Sequence, residues 1–445
     1  MQIWQRNTTR LIAASLAGAV LCAYTPTTGH AQFLGLQKFL GNKDSSSGSP
    51  AAESSQRRGW GWFRRGDTDQ DGNDPFKAQW VTNPRPGFPT LSSQNIELTR
   101  QTVEQYENIV ARGGWPRVPE LALKPGSRGQ AVITLHQRLE ISGDLVGTSV
   151  PNVYDEAVTR AVQKFQVRHG LPPTGVLDRP TVDAMNVPAS VRLQQLKASL
   201  TRLRKLAPKA HGRYVIVNIP AAQSEAVDNG QVVDRYTVVV GKANLATPTL
   251  ESKIMQISFN PYWNVPRSIV RNDLVPKARE LQARGVDMLA TYRMQAIDGS
   301  GQILGPGQVD WYSDAVYGYR FRQLPWEENS LGFVKIDFPN RHAVYMHDTP
   351  EKAIFSQELR YESHGCVRVH NVSNLVAWLL QDNPGWDINR IQQMKMTGEQ
   401  QIVKLKRPVP VMFIYVSAWT TPDGMANFRP DIYQVDTTST TASAY

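Results

Sequence analysis

The sequence predicts a multidomain α+β protein: a helical N-terminal half followed by a mostly β C-terminal half. Three observations carry that expectation. At 445 residues the chain exceeds what one hydrophobic core usually organises, so two or three domains are expected. From Ser92 onward apolar residues recur at helical spacing, and from Gly212 the period changes to two. The runs after that point, "RYVIVNIP", "RYTVVVG", "KIMQISF", "HAVYMH" and "VPVMFIYVSAW", are β-branched and aromatic and are bounded by Gly, Pro and Asn, as strands are.

Residues 1–31 carry Arg6 and Arg10 without an acid, then a run from Leu11 to Ala23 that is apolar apart from Ser15, then Gly29 and Ala31 in small-x-small spacing. That is the pattern of a signal peptide, and the run is shorter than the roughly 20 apolar residues a bilayer span needs. The expectation is an exported chain with no stable membrane insertion after signal removal. Cys22 follows Leu21 rather than a small residue, which argues against lipidation. Residues 32–91 read as a disordered linker, through "GNKDSSSGSPAAESSQ" and then Pro75, Pro84, Pro86 and Pro89. Within it, "DTDQDG" sets Asp67, Asp69, Asp71 and Gly72 at calcium-loop positions, but Ala78 stands where the twelfth-position glutamate belongs, so a solvated acidic turn is expected. "WGWFRR" mixes aromatics with cations, which fits a membrane-surface or glycan contact and fits an exposed tether almost as well. The formal charge of +10 is spread along the chain with no nucleic-acid motif, so it implies solubility or attraction to an envelope polyanion, and no nucleic acid as partner.

A helical scaffold is expected over 92–123, with Ile96, Val103, Tyr106, Ile109 and Val110 on one face and Gly113-Gly114 as its stop. A compact unit of three short helices follows over 124–188. Val132, Leu135 and Leu139 mark the first helix, Ala157, Val158, Ala161, Val162 and Phe165 the second, and Thr181 to Asn186 the third. Gly126, Gly129, "LHQRL", "YDEAVTRAVQKFQ" and "HGLPPTGVLDRPTVDAMN" stand in an order that resembles the three-helix peptidoglycan-binding module of many bacterial cell-wall enzymes. Phe165 is expected in the core, and His136 and His169 on the surface. A charged helical connector spans 189–212, the β domain 213–435 and a disordered tail 436–445. An insert over 267–331, opened by "NPYWNVP" and containing "LVPKARELQARG", interrupts the strands as either a decoration or a lid over a site.

The chemistry gathers at "ESHGCVRVH". With Cys22 inside the signal, Cys366 is the only cysteine of the mature chain, and His342, His347, His364 and His370 lie around it. A thiol attacks carbonyls as thiolate, and its unperturbed pKa of about 8.5 leaves it mostly protonated at neutral pH. A histidine within hydrogen-bond reach supplies the base. Gly365 lets backbone approach the reacting carbon, and nearby amides could meet a developing oxyanion. Three other readings compete. Zinc could take His347, His364, Cys366 and His370, although a closed site needs no glycine there and the closely spaced ligands would have to turn sharply. The cysteine could be a buried apolar group. A sortase-like Cys-His-Arg site has the right residue types, but its arginine belongs on a separate strand, whereas Arg368 is two residues on.

His347, a gap of about fifteen residues and then Ser363, His364, Gly365, Cys366, Val367 and Arg368 resemble the signature of the L,D-transpeptidase catalytic domain. The likeness extends over about 213–435 through "VNIP", "NPYWNVP", "LGFVKIDFPN", "MHDTPEKAIFS" and "FRPDIYQVD", and with the module and insert it resembles the larger periplasmic members. Asp348 and Arg368 depart from the glycine and asparagine common in short members. The resemblance implies a peptidoglycan cross-linking enzyme of the periplasm, with stem peptides and glycan as partners and no metal or organic cofactor. It implies Cys366 as nucleophile, His347 as general base, and His364 and Gly365 as shapers of the oxyanion pocket. Ser363 would brace the turn. Arg368 would hold a donor carboxylate or order the loop, and Trp263 and Asn264 would line the pocket, with core packing open for Trp263. Carbapenem-class β-lactams are the implied covalent inhibitors. The acceptor stays open among a second stem, water and a lipoprotein lysine, and a non-catalytic wall-binding scaffold is the remaining alternative.

Overall fold

The computed structural model describes residues 86–357 and 359–438. The expected signal peptide, Cys22, "WGWFRR", "DTDQDG" and residues 439–445 of the expected tail lie outside them. The described chain is docked before the first helix begins: the carboxylate of Glu225 accepts the Thr90 N–H at 2.9 Å and the Thr90 hydroxyl at 2.7 Å, and Leu91 is buried. Expected linker residues therefore reach the folded body.

Helix α1 (Ser93–Ala111) starts at Ser92, whose extended backbone and side-chain oxygen cap the Asn95 N–H, and Gly113 and Gly114 follow it at positive φ. The module contributes α2 (Gln130–Ile141), α3 (Glu156–Arg168) and α4 (Arg179–Met185). Asp155 caps α3 at the Val158 N–H, and Asp178 caps α4 at the Thr181 N–H. Val132, Leu135, Leu139, Val158, Val162, Phe165, Val182 and Met185 meet in one core, the faces that helical spacing anticipates. The two histidines are not on the surface. His136 is 2% exposed and His169 6% exposed. His169 bonds the Phe165 carbonyl through Nδ1 at 2.8 Å, with its ring stacked 3.8 Å from that of Phe165. A lone polar residue at a helix end can be buried when a neighbouring element covers it, which the helix pattern alone does not disclose.

Helix α5 (Ala189–Leu206) lies against α1 and leads to β1 (Arg213–Asn218), β2 (Gln223–Asp228), β3 (Gln231–Gly241), β4 (Leu250–Phe259) and β5 (Trp263–Asn264). The insert then provides α6 (Arg267–Ile269), a π-helical turn Val270–Leu274, α7 (Val275–Ala283), α8 (Met288–Thr291), β6 (Met294–Ile297), β7 (Ile303–Leu304) and β8 (Arg320–Gln323). After it come β9 (Val334–Asp337), β10 (Met346–His347), β11 (Tyr361–Ser363), β12 (Val367–Val369), α9 (Val372–Leu379), α10 (Ile388–Thr397), β13 (Gln401–Ile414), β14 (Ala418–Thr420), β15 (Ala426–Phe428) and α11 (Val435–Thr438).

Pairings run β3, β12, β10, β9, β4, β13, β1, β2 and back to β3, with β11 added beside the end of β3. This ring removes most free edges. Its interior holds Val215, Val217, Val238, Ile254, Ile257, Ile336, Met346, Val367, Val411 and Phe413, with α9 and α10 packed onto the same core. On β1 and β13 the alternate residues Tyr214, Ile216, Met412 and Ile414 are also buried, against Leu91 and Leu203 of the helical half. That double burial explains why "YVIV" is apolar at every position.

The insert is a small folded unit. Its sheet runs β5-β8-β6-β7, and Leu274, Val275, Met288, Leu289, Met294, Trp311 and Phe321 form a separate core. The expected tail begins inside the fold, since Asp436 is buried and its Oδ1 meets Arg202 Nη1 at 2.5 Å.

Candidate active site

Strand β10 pairs in parallel with β12, setting Met346 beside Val367 and His347 beside Arg368, and pairs antiparallel with β9, setting His347 beside Lys335. Met346, Val367 and Ile336 face the core. Because successive side chains alternate across a sheet, Lys335, His347 and Arg368 form a row on the opposite face. Cys366 immediately precedes β12, and the Val367 N–H donates to the Tyr345 carbonyl at 3.0 Å, which places the half-buried thiol beside Tyr345.

The turn that presents Cys366 is held from both sides. Ser363 Oγ accepts the Gly365 N–H at 3.1 Å and donates to the Cys366 carbonyl at 2.6 Å. The Gly365 carbonyl accepts the Thr247 hydroxyl at 2.9 Å. Gly365 has φ of 105°, a conformation that L side chains rarely adopt, and a Cβ there would stand 3.5 Å from the Ala246 carbonyl oxygen. The Gly365 amide is therefore engaged by Ser363.

His347 is 2% exposed, and its Nδ1 donates to the Asp348 carbonyl at 2.5 Å, which leaves Nε2 as the basic nitrogen. Burial first, then Arg368 and with smaller effect Lys335 and Lys352, push its pKa down to about 3 against the opposing Asp348 hydrogen bond. The imidazole is thus neutral over the physiological range. Burial also pushes the Cys366 thiol up, opposed by the neighbouring Tyr345 and by Lys335 and Arg368. Asp348, the departure from the short-family glycine, is buried, pairs with Lys352 and accepts the Phe333 N–H at 3.3 Å. Its side chain occupies space that a Cβ on Gly332 would need, with Oδ2 only 2.4 Å from that position.

Arg368 is 4% exposed, and its Nε is buried without a hydrogen-bond partner. Burial lowers its pKa to about 10, opposed by Glu351, Glu362 and Cys366. His364 is directed elsewhere: its Nε2 lies 3.5 Å from Asp273 Oδ2 on the π-helical turn of the insert. His370 donates its N–H to the Thr237 carbonyl and sets its ring 5.0 Å from Phe355, and His342 is exposed. Among the described residues no three of His, Cys, Asp and Glu converge as metal ligands. Trp263 is buried in the insert core, while Asn264 is exposed and pairs with Arg322 across β5 and β8.

Tyr345, Lys335 and Asp273 were not anticipated from sequence. Tyr345 stands two residues before His347 on a strand, so period two already put it on the same face. No local signal marks Lys335 or Asp273, which reach the site through register and through the fold of the insert.

A family profile described as the L,D-transpeptidase catalytic domain matches residues 212–411, and one described as "Putative peptidoglycan binding domain" matches residues 128–185. A curated Haemophilus influenzae protein named "Putative L,D-transpeptidase" is 31% identical over 244 residues, covering 55% of this chain and 48% of that protein. The chain thus spans about half the length of that relative. Solved structures that align with the chain include an L,D-transpeptidase from Xylanimonas cellulosilytica, at 18% identity, 67% and 100% coverage of the two chains and a TM-score of 0.22. Another, from Stackebrandtia nassauensis, has 15% identity, 67% and 96% coverage and a TM-score of 0.25. His347 and Cys366 both lie inside residues 212–411, the segment that matches the L,D-transpeptidase catalytic domain, and residues 128–185 match a peptidoglycan-binding domain.

Proposed function

We propose that the protein is an exported peptidoglycan L,D-transpeptidase of the periplasm that joins two stem peptides through a cysteine acyl-enzyme. The observation that carries this reading is the in-register pairing of β10 with β12, which sets a neutral, tautomer-fixed His347 beside the strand opened by Cys366. His347 Nε2 takes the thiol proton, and Sγ attacks the carbonyl of the diamino acid at the third position of a tetrapeptide donor. The oxyanion is met at the turn by the Cys366 amide, while the Ser363 bridges hold the loop rigid. Collapse breaks the peptide bond, His347 returns the proton to the departing D-alanine amine, and a thioester remains. An amine of a second stem, deprotonated by His347, attacks the thioester, regenerates the thiol and leaves a 3-3 cross-link. The chemistry calls for no metal or organic cofactor.

The buried, unpartnered Nε of Arg368 supports carboxylate binding over loop ordering, because a loop-ordering arginine would spend its donors on the loop. The module would hold the polymer while the stem enters the site. A carbapenem offers a strained carbonyl to the same thiolate and is the expected covalent inhibitor. Among the described residues no helix is long and apolar enough to cross a membrane.

Purified tetrapeptide stems incubated with the protein, followed by mass spectrometry, test the reading. Wild type should release D-alanine and form 3-3 dimers, Cys366→Ser should do neither, and a carbapenem should add one adduct at Cys366. D-alanine release by Cys366→Ser would remove the nucleophile assignment, and monomeric tripeptide as the sole wild-type product would replace transfer with hydrolysis.

A further inference from the structure

The peptide bond between Gly365 and Cys366 is held by its oxygen. The Gly365 carbonyl accepts the Thr247 hydroxyl at 2.9 Å, whereas the Cys366 N–H has no hydrogen-bond partner among the described residues. The amides on either side of it are spent, that of Gly365 on Ser363 Oγ and that of Val367 on the Tyr345 carbonyl. Most backbone amides in a folded protein are paired, so an unspent one beside a nucleophile marks a place where something else bonds. The peptide is trans and planar, and its C=O and N–H point in opposite directions. Fixing the oxygen on Thr247 therefore aims the free amide away from Thr247.

Thr247 is itself fixed at the neck of a loop formed by residues 242–246. Its Oγ1 accepts the Gly241 N–H at 2.8 Å, which leaves its one hydroxyl proton for the Gly365 oxygen. The Thr247 N–H donates to the Tyr433 hydroxyl at 3.2 Å, and that hydroxyl donates to the Gly241 carbonyl. The neck is tight, since a Cβ on Gly241 would stand 2.1 Å from the Leu245 carbonyl oxygen. The loop also touches the motif turn directly, through the Lys242 N–H and the Ser363 carbonyl at 3.1 Å. Tyr433 comes from the C-terminal segment, past the residues 212–411 that match the catalytic-domain profile. Its main-chain N–H donates to the Tyr415 hydroxyl at 2.9 Å, and that hydroxyl donates to Asp431 Oδ1 at 2.6 Å. Burial pushes the Tyr433 phenol up, which keeps it a donor toward Gly241.

We infer that Thr247 and Tyr433 are positioning residues for the oxyanion: Tyr433 sets Thr247, and Thr247 turns the Gly365–Cys366 peptide so that the Cys366 N–H faces the reacting carbonyl. The inference rests on the reading of Cys366 as nucleophile, and it makes the C-terminal segment part of the site.

The test compares two reactions of Cys366 in the full chain, both followed by mass spectrometry. Acylation by meropenem forms a bond from Sγ to the lactam carbonyl, opens the lactam C–N bond and passes through a tetrahedral oxyanion, whereas alkylation by iodoacetamide displaces iodide at a saturated carbon and forms none. Thr247→Val keeps the shape and removes the hydroxyl. It should slow acylation about 10- to 100-fold, less than the roughly 10²–10³ lost when an oxyanion donor is removed outright, because the amide stays and only its aim is lost. Alkylation, which follows the thiolate fraction, should stay within about twofold of wild type. Thr247→Ser restores a hydroxyl and should recover most of the acylation rate. Tyr433→Phe should slow acylation by about three- to tenfold, the scale of one hydrogen bond. Equal slowing of both reactions in Thr247→Val would mean that the turn had merely loosened, and acylation at the wild-type rate would mean that the hydroxyl does not aim the amide; either result overturns the inference. If Thr247→Val does not fold, Tyr433→Phe decides alone, and an unchanged ratio of acylation to alkylation in it overturns the inference. A wild type that takes up no meropenem sinks the nucleophile reading itself, and this inference with it, before any variant is compared.

Discussion

His347 illustrates what burying an imidazole between two cations costs in acid. It lies between Lys335 and Arg368 in register, so a proton on it would be both desolvated and repelled. Its folded pKa of about 3 lies below the roughly 6.5 of an unfolded histidine. Between those values the unfolded chain binds the proton and the folded chain does not, so stability is lost as pH falls from about 6.5 toward 3, at up to about 1.4 kcal/mol per pH unit. His347→Asn removes that contribution. Urea unfolding of wild type and variant across pH 4 to 7 should give curves whose difference closes toward acid, whereas parallel curves would mean that His347 titrates normally. His169, also held neutral by burial, is present in both proteins and cancels in the comparison.

At the scale of elements, the insert and the motif turn act on each other. The turn is rigid because Ser363, Thr247 and the φ of Gly365 leave it one conformation. The insert shares its core with Trp263 of β5, packs that core against Tyr345, and reaches the turn at His364 through Asp273. A plain surface decoration would touch neither. If the insert excludes water while the acceptor amine approaches, loosening the Asp273 contact should favour hydrolysis. Asp273→Ala is expected to raise the ratio of hydrolysed to cross-linked product by about two- to fivefold, the scale of a single polar contact worth up to about 1 kcal/mol, with Cys366 still alkylated at the wild-type rate. An unchanged product ratio would place acceptor selection in the β domain alone.

Across the whole molecule, the peptidoglycan-binding module is seated on the catalytic half rather than tethered to it. Arg168, buried and paired with Asp144 through two 2.6 Å bonds, donates to the Ala426 carbonyl, and Arg429 donates to the Arg168 carbonyl. Phe428 of β15 pins the junction, with the rings of Tyr106 and His169 each 5.5 Å away and the guanidiniums of Arg192 and Arg168 at 4.9 and 5.8 Å. Removing that ring leaves a cavity shared by three elements. Phe428→Ala should cost about 3–5 kcal/mol and uncouple the module, so that calorimetry resolves two transitions where wild type shows one. A single transition at the wild-type temperature would show that the contact contributes nothing to docking.

What local residue order decided was legible before any tertiary contact was known. The change of period at Gly212, the caps at Ser92, Asp155 and Asp178, the core face of α3 and the spacing from His347 to Cys366 are properties of short stretches, because dihedral period and capping act over a few residues. Only the tertiary structure decided what distant segments do together. Strand register placed Lys335 and Arg368 on either side of His347, and the insert brought Asp273 to His364 and packed Trp263 with Tyr345. Docking of the module set Phe428 on the His169 ring, a loop of the module brought Ser149 to His136, and Asp436 found Arg202 across the fold. These outcomes depend on which strand pairs with which and on what covers a given face, and non-local packing leaves no mark in the spacing of neighbouring residues.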